Sequence, residues 1–211
     1  MIFQKLGLIN KNQRGFTVIE LIVAVAIAGV IAGGTAITIY QTVSGNARNG
    51  SHMTAVRQVQ TAGYWISRDA QMAQTINSNP EDDLLTQGTE VLTLSWEGWE
   101  YSLGGSETYI DTHEVRYAHD AASSKLWRYQ KITTNEYDDE GNVIDTYYSP
   151  SVGWNTSLIA EHITPIGEGD LNMDEANNKL TVTITASVTS WVGESVEERT
   201  YEITPRPSPS D

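Results

Sequence analysis

The sequence has 211 residues, a formal net charge of −14 and no cysteine. This length provides for one domain and a membrane anchor. The lack of cysteine excludes a disulfide, a thiolate metal site and a cysteine nucleophile, and an acidic chain without a basic stripe is unsuited to direct contact with nucleic acid.

The N-terminal segment joins a basic leader to a long apolar run. Residues 1–15 contain Lys5, Lys11 and Arg14 but no acid, and Glu20 is the single charge in residues 16–39. At roughly 1.5 Å per helical residue, this run can cross a bilayer core of roughly 30 Å. A carboxylate inside such a segment costs on the order of 2.5–3.5 kcal/mol on insertion scales, so Glu20 is expected to have a partner.

The junction at residues 14–21, with the sequence RGFTVIEL, resembles the N-terminus of type IV prepilins and of type II secretion pseudopilins. The resemblance covers residues 11 to about 36. It implies that a prepilin peptidase cuts after Gly15 and N-methylates Phe16, and that Glu20 pairs with the N-terminus of a neighbouring subunit. Residues 1–15 would then be a cleaved leader, and residues 16–40 a transmembrane helix that later enters the core of a filament.

Two other kinds of N-terminal segment fit less well. A secretory signal peptide has an apolar core of about 7–15 residues and would not carry Glu20. A plain signal anchor explains the length and the basic leader. It gives no reason for the Gly15-Phe16 junction or for Glu20, and these features favour the prepilin interpretation.

Gly29 and Gly33 have the spacing of a small-xxx-small motif, which lets two helices approach closely. Two interpretations stay open. The glycines pack neighbouring helices in a filament, or they reflect the ordinary glycine content of transmembrane helices.

The second half of the helix is predicted over residues 41–79. It is amphipathic, because apolar residues recur at three- and four-residue steps. A polar stretch at residues 45–50 predicts local melting or a kink, and Pro80 predicts the end of the helix after residues 77–79. The predicted apolar face consists of Val56, Val59, Gly63, Ile66, Ala70, Ala73 and Ile76.

After Pro80 the periodicity changes to two, and residues 80–204 are predicted as a β-rich globular domain. The predicted strands are residues 90–96, 113–119, 125–133, 142–148, 180–188 and 196–203. Short links, including residues 138–142, 121–124 and 177–178, predict an antiparallel meander. Residues 205–211 are predicted as a disordered tail. The predicted class is α+β, a long helix packed on an antiparallel sheet, and the resemblance implies the same pilin fold.

Two looser similarities refine the resemblance. Residues 65–73 resemble the second half of the helix in larger minor pilins and J-type pseudopilins. Residues 115–117 and 125–129 resemble the paired strands that follow in the same group. They favour a minor pilin or a pseudopilin over the major pilin of a shaft.

We find no pattern that predicts a catalytic, metal or cofactor site. The four histidines are interpreted as isolated surface residues, and the acidic run at residues 138–140 as a solvated hairpin rather than a Ca²⁺ loop. No nucleophile elbow, phosphate-binding glycine loop or paired carboxylates can be argued. The chain is therefore not expected to be an enzyme, to bind a metal or to need a cofactor.

The sequence thus predicts a structural subunit of a type IV pilus or a related type II secretion-like filament. The expected partners are prepilin peptidase, other pilin subunits, an inner-membrane assembly platform and, before assembly, the membrane. The expected location is the cytoplasmic membrane, with the β-rich domain outside the cytoplasm, and then an extracellular or periplasmic filament.

An alternative function is a membrane-anchored module that binds a surface or a carbohydrate through Trp and Tyr, which suit half-wet positions. Packing within the sheet would equally explain these side chains. The aromatic residues concerned are Trp96, Trp99, Tyr101, Trp127, Tyr129, Tyr147, Tyr148, Trp154 and Trp191.

Overall fold

The computed structural model describes residues 15–78, 80, 87–103, 107–151, 153–167 and 169–206. A long helix is followed by antiparallel strands, so the predicted α+β class is confirmed. The chain divides into an N-terminal unit, Met1–Asn46, and a C-terminal unit, Ala47–Asp211.

Helix α1 spans Val18–Met72. In the C-terminal unit its buried residues recur every three or four positions, as the helical period requires. The buried apolar set of the helix is Ala55, Val59, Ala62, Ile66 and Ala70, and the buried Ala73 follows directly after the helix. The predicted apolar face is therefore right in direction. Its first member differs, because Ala55 is buried, whereas Val56, which was predicted to be buried, is only half-buried.

The predicted melting at residues 45–50 is wrong, because these residues are helical. Glycine lowers helix propensity by about 1 kcal/mol relative to alanine but leaves the backbone hydrogen bonds in place. The side-chain hydroxyls of two residues near this stretch also donate hydrogen bonds to backbone carbonyls one helical turn before them. Ser51 Oγ donates to the Ala47 carbonyl at 3.0 Å, and Thr54 Oγ1 donates to the Gly50 carbonyl at 2.9 Å.

The predicted helix end near Pro80 is also wrong, since α1 ends at Met72. The backbone N–H of Gln74 donates to the carbonyl of Ser95 at 2.9 Å, and strand β1, Thr75–Asn77, then pairs with the next strand. Pro80 limits how far a helix can extend. Pairing with the sheet ends this helix earlier.

The first sheet follows the predicted meander. Its strands lie in the order β1 to β5, with β2 at Thr89–Glu97, β3 at Thr108–Asp120, β4 at Lys125–Tyr137 and β5 at Val143–Ser149. Strand β6, Asn155–Glu161, also pairs with β4. β3 covers one edge of β4, and β5 and β6 share the other edge.

The second sheet contains β7 at Leu171–Asp174, β8 at Lys179–Ser190 and β9 at Gly193–Ile203. A short 3-10 helix, Glu175–Asn177, and the left-handed Asn178 connect β7 to β8, which agrees with the predicted turn. One core cluster joins the buried face of α1 to both sheets. Its sheet members include Leu92, Leu94, Val115, Tyr117, Leu126, Leu180, Val182, Ile184 and Ile203.

All six predicted strands are found, most of them longer than predicted, whereas β1, β6 and β7 were missed. The turns at residues 138–142 and 121–124 connect antiparallel neighbours as predicted. The predicted tail differs at its start, because Pro205 is buried and its carbonyl accepts a bond from Asn178 Nδ2 at 3.1 Å. Residues 207–211, and residues 1–14 of the predicted leader, lie outside the described residues.

Candidate assembly site and pocket of the C-terminal unit

The helix begins with a capping box around Thr17 and Glu20. The backbone N–H and the hydroxyl of Thr17 each donate to Glu20 Oε2 at 3.0 Å, and the backbone N–H of Glu20 donates back to Thr17 Oγ1 at 3.3 Å. This reciprocal pattern satisfies N–H groups that would otherwise lack a partner in the first turn. The structure thus gives Glu20 an intramolecular role that the sequence analysis did not consider.

Gly15 and Phe16 lie directly before the helix, and the Phe16 side chain is 90% exposed. The proposed cleavage junction is therefore a non-helical segment at the edge of the capping box. Both bonds from Thr17 fall on the same carboxylate oxygen of Glu20, Oε2.

The apolar side chains of the N-terminal unit are exposed along α1. The helix contains an 18-residue window with a mean hydropathy of 2.3, none of which is buried. By length and composition this helix could cross a membrane, and a signal sequence would pass the same test. Contiguous apolar surface of this extent marks a membrane or protein contact. The exposed set includes Val18, Ile19, Leu21, Ile22, Val25, Val30 and Ile31.

Gly29 and Gly33 lie one turn apart on this helix, and a Cβ built on either glycine meets no atom within 4 Å. The two positions therefore leave room for a second helix. The prediction that they pack subunits together stays a prediction.

Residues 10–36 match a known sequence motif. The chain carries a prokaryotic N-terminal methylation motif. This class III signal is consistent with the type IV pilin and pseudopilin family, and it indicates a pilin-like or pseudopilin precursor processed by prepilin peptidase. The motif points to a structural protein rather than to an enzyme. Comparison with curated proteins and with solved structures finds no match.

The methylation motif ends before the C-terminal unit, which has its own polar centre. Asp69 of α1 is 1% exposed, and Arg128 of β4 binds both of its carboxylate oxygens, with Nε at 2.6 Å from Oδ2 and Nη2 at 3.1 Å from Oδ1. The Tyr117 hydroxyl of β3 donates to Oδ2 at 2.5 Å. We call these three residues the buried triad, and it fastens the helix to two adjacent strands.

The environment of the buried triad keeps its hydrogen bonds in place. Burial, together with the charge of Asp69, raises the pKa of Tyr117 well above its ordinary value, so the hydroxyl stays a donor. Arg128 is held from the other side as well, because its Nη1 donates to Gln130 Oε1 at 2.9 Å and its guanidinium lies 5.3 Å from the centre of the Trp65 ring.

An open pocket of about 460 Å³ lies beside the buried triad. A second pocket, of about 360 Å³, shares Gln130 and Asn155 with it. We call the two pockets together the β4 groove. Asp69 and Arg128 of the triad line the larger pocket. Its other lining residues are Trp65, Arg68, Met72, Trp96, His113, Gln130, Asn155 and Ser157.

The histidines correct part of the sequence interpretation. His119 is not a surface residue, since it is 4% exposed and its Nε2 lies 2.9 Å from the Ile163 carbonyl. His113 is half-buried and stacks on Trp96 with ring centres 5.2 Å apart. Burial lowers the pKa of His113, partly opposed by the charge of Asp111, and its Nδ1 is buried without a hydrogen-bond partner. His52 and His162 are exposed, as expected.

Hydrogen bonds within the acidic hairpin engage the carboxylate of Asp138. Asp138 Oδ1 accepts bonds from the backbone N–H of Glu140 at 3.0 Å and of Asn142 at 2.7 Å. These bonds lower the pKa of Asp138, those from Asn142 most strongly. Among the residues that the structure describes, no group of three or more His, Asp or Glu side chains could hold a metal ion.

Sequence reasoning missed the buried triad and the β4 groove. One signal was available. Asp69 interrupts the apolar stripe of α1, where it follows Ile66 by three positions and precedes Ala73 by four. A charge on the buried face of a helix requires a charged or hydrogen-bonding partner.

Proposed function

We propose that this chain is a non-enzymatic structural subunit of a type IV pilus or a related type II secretion-like filament, in the position of a minor pilin or pseudopilin. Prepilin peptidase cuts between Gly15 and Phe16 and methylates the new N-terminus. Residues 16–39 hold the precursor in the cytoplasmic membrane, and the C-terminal unit lies outside the cytoplasm. The inner-membrane assembly platform then passes the subunit into the filament.

One observation carries this proposal. The methylation motif leads directly into a helix whose apolar side chains are exposed throughout its N-terminal unit. Such a surface needs a lipid or protein environment. A subunit that leaves the membrane for the core of a filament meets both requirements in turn, with neighbouring helices replacing lipid.

The mass of the N-terminal peptide of the protein, recovered from its native envelope, tests the processing step. We expect a chain that begins with N-methylated Phe16. The same peptide from cells without prepilin peptidase should retain residues 1–15. An intact leader in cells that process other prepilins would contradict cleavage at Gly15, and a cut near Ala28 would indicate an ordinary signal peptide.

The proposed role of Glu20 combines the cap with an ion pair between subunits. Thr17 donates to Oε2. In the proposed filament Oε1 accepts from the Phe16 ammonium of a neighbour. Between packed apolar helices an unpaired carboxylate would be costly, and pairing offsets that cost while fixing the axial position of the subunit.

Two substitutions separate the cap from the ion pair. Glu20→Ala removes both, whereas Glu20→Gln removes the charge and keeps a residue that suits the capping box. We expect both variants to be cleaved and both to enter filaments at a level reduced at least about tenfold, which corresponds to the loss of about 1.4 kcal/mol. The measurement is the ratio of subunit in sheared filaments to subunit in membranes. Normal incorporation of Glu20→Gln would show that the carboxylate serves only as a cap.

A further inference from the structure

The β4 groove differs in charge from the rest of the chain. Arg68 is exposed, its guanidinium lies 5.2 Å from the centre of the Trp65 ring, and no described carboxylate lies within salt-bridge distance of it. Asp69 is the one carboxylate among the described lining residues, and the guanidinium of Arg128 neutralises it. A net positive site on a chain with a formal charge of −14 favours an anionic ligand.

The polar side chains of the groove can both donate and accept hydrogen bonds. Gln130, Asn155 and Ser157 carry amide or hydroxyl groups, and these suit the hydroxyls of a sugar, which also act in both roles. Each pocket contains an indole, Trp65 in the larger and Trp154 in the smaller. Both rings also lie against cationic side chains, Trp65 against Arg68 and Arg128, and Trp154 against Arg116.

The central strand of the groove, β4, does not offer an edge to an extended peptide. A peptide that adds to a sheet needs a free strand edge. β4 is paired with β3 along one edge, and along the other with β6 at residues 125–130 and with β5 at residues 132–137. β4 itself therefore offers no free edge over these residues, and two adjoining pockets suit consecutive units of a chain molecule.

We propose that the β4 groove binds a short segment of an acidic polysaccharide. Arg68 holds the carboxylate of a uronic acid unit, and Gln130, Asn155 and Ser157 bind sugar hydroxyls. The buried triad keeps Arg128 and its neighbours in position and leaves Arg68 as the unpaired cation. This binding role is additional to assembly into a filament and does not require it.

The test is calorimetric titration of the full chain in micelles of a detergent without a sugar headgroup. The probe is α-1,4-linked trigalacturonate, and its fully methyl-esterified form supplies the same sugar without charge. We expect saturable binding of trigalacturonate and binding at least about tenfold weaker for the ester, because a charge-assisted hydrogen bond is lost.

Variants locate the binding. Arg68→Gln should weaken trigalacturonate binding at least about tenfold. Arg57→Gln, an exposed arginine on the same helix outside the groove, should leave it unchanged. No saturation at millimolar concentrations, or equal binding by Arg68→Gln and the parent protein, would overturn the proposal. A triglutamyl peptide that binds as tightly as trigalacturonate would overturn the assignment to a sugar and indicate an acidic peptide site.

Discussion

Replacing Asp69 with alanine is expected to lower the free energy of unfolding of the C-terminal unit by about 3–5 kcal/mol. The substitution leaves the Arg128 guanidinium buried without its carboxylate and the Tyr117 hydroxyl without its acceptor. Domains of ordinary stability unfold with about 5–15 kcal/mol, so the loss would be a large fraction of the total. All six tryptophans lie in the C-terminal unit, so their fluorescence during denaturation reports this unit alone.

The matched control is an ion pair at the surface. Lys179 Nζ and Glu202 Oε2 lie 2.7 Å apart, but the glutamate side chain is 64% exposed. Glu202→Ala should therefore cost no more than about 1 kcal/mol. A double variant, Asp69→Leu with Arg128→Met, should be more stable than Asp69→Ala, because it leaves no buried charge unpaired. An Asp69→Ala variant as stable as Glu202→Ala would show that water or another group reaches Arg128.

The position of Asp69 shows why the sequence predicted the helix but not its polar contact. Local period fixes which side of a helix is apolar, and the buried residues at three- and four-residue steps follow from it. The partner of Asp69 is Arg128, 59 residues later, and only the pairing of β3 with β4 brings Arg128 and Tyr117 to the same carboxylate. Local pattern carries no information about that register.

The strands show the same limit. β8 alternates buried and half-buried residues along most of its length, and its prediction was close to the observed bounds. β6 was missed because its first four residues are exposed, and three of these four are polar. Only Ile159 and Ala160 of this strand are buried. β6 is a strand because it pairs with β4. Its own sequence shows no alternation of apolar and polar residues that would predict a strand.

The N-terminal unit was predicted more completely because its signal is local. A basic leader, the Gly15-Phe16 junction, one carboxylate and an apolar run are all adjacent in sequence, and residues 10–36 match the methylation motif as a whole. The capping box was missed although Thr17 and Glu20 have its spacing.

Replacing Gly63 with valine is expected to destabilise the C-terminal unit by about 2–3 kcal/mol, because overpacking forces neighbouring groups to move. Gly63 lies on the buried side of α1, and a Cβ built on it would lie 2.1 Å from Cζ and 2.5 Å from Oη of Tyr201 in β9. The Tyr201 hydroxyl donates to the Val59 carbonyl at 3.1 Å, so displacing the ring also breaks that bond. Gly63 therefore sets how closely the helix approaches the second sheet.

Gly50 provides the control within the same helix, since a Cβ built there meets no atom within 4 Å. Gly50→Ala should stabilise the C-terminal unit by up to about 1 kcal/mol through helix propensity alone. Tyr201→Ala makes room for the valine, so combining it with Gly63→Val should destabilise less than the sum of the two single changes. Tryptophan-detected denaturation of the parent protein, the two single variants and the double variant measures the coupling between residues 63 and 201. Additive losses would mean that the valine is accommodated without moving Tyr201, and that the spacing of helix and sheet is set by the remaining small residues of α1.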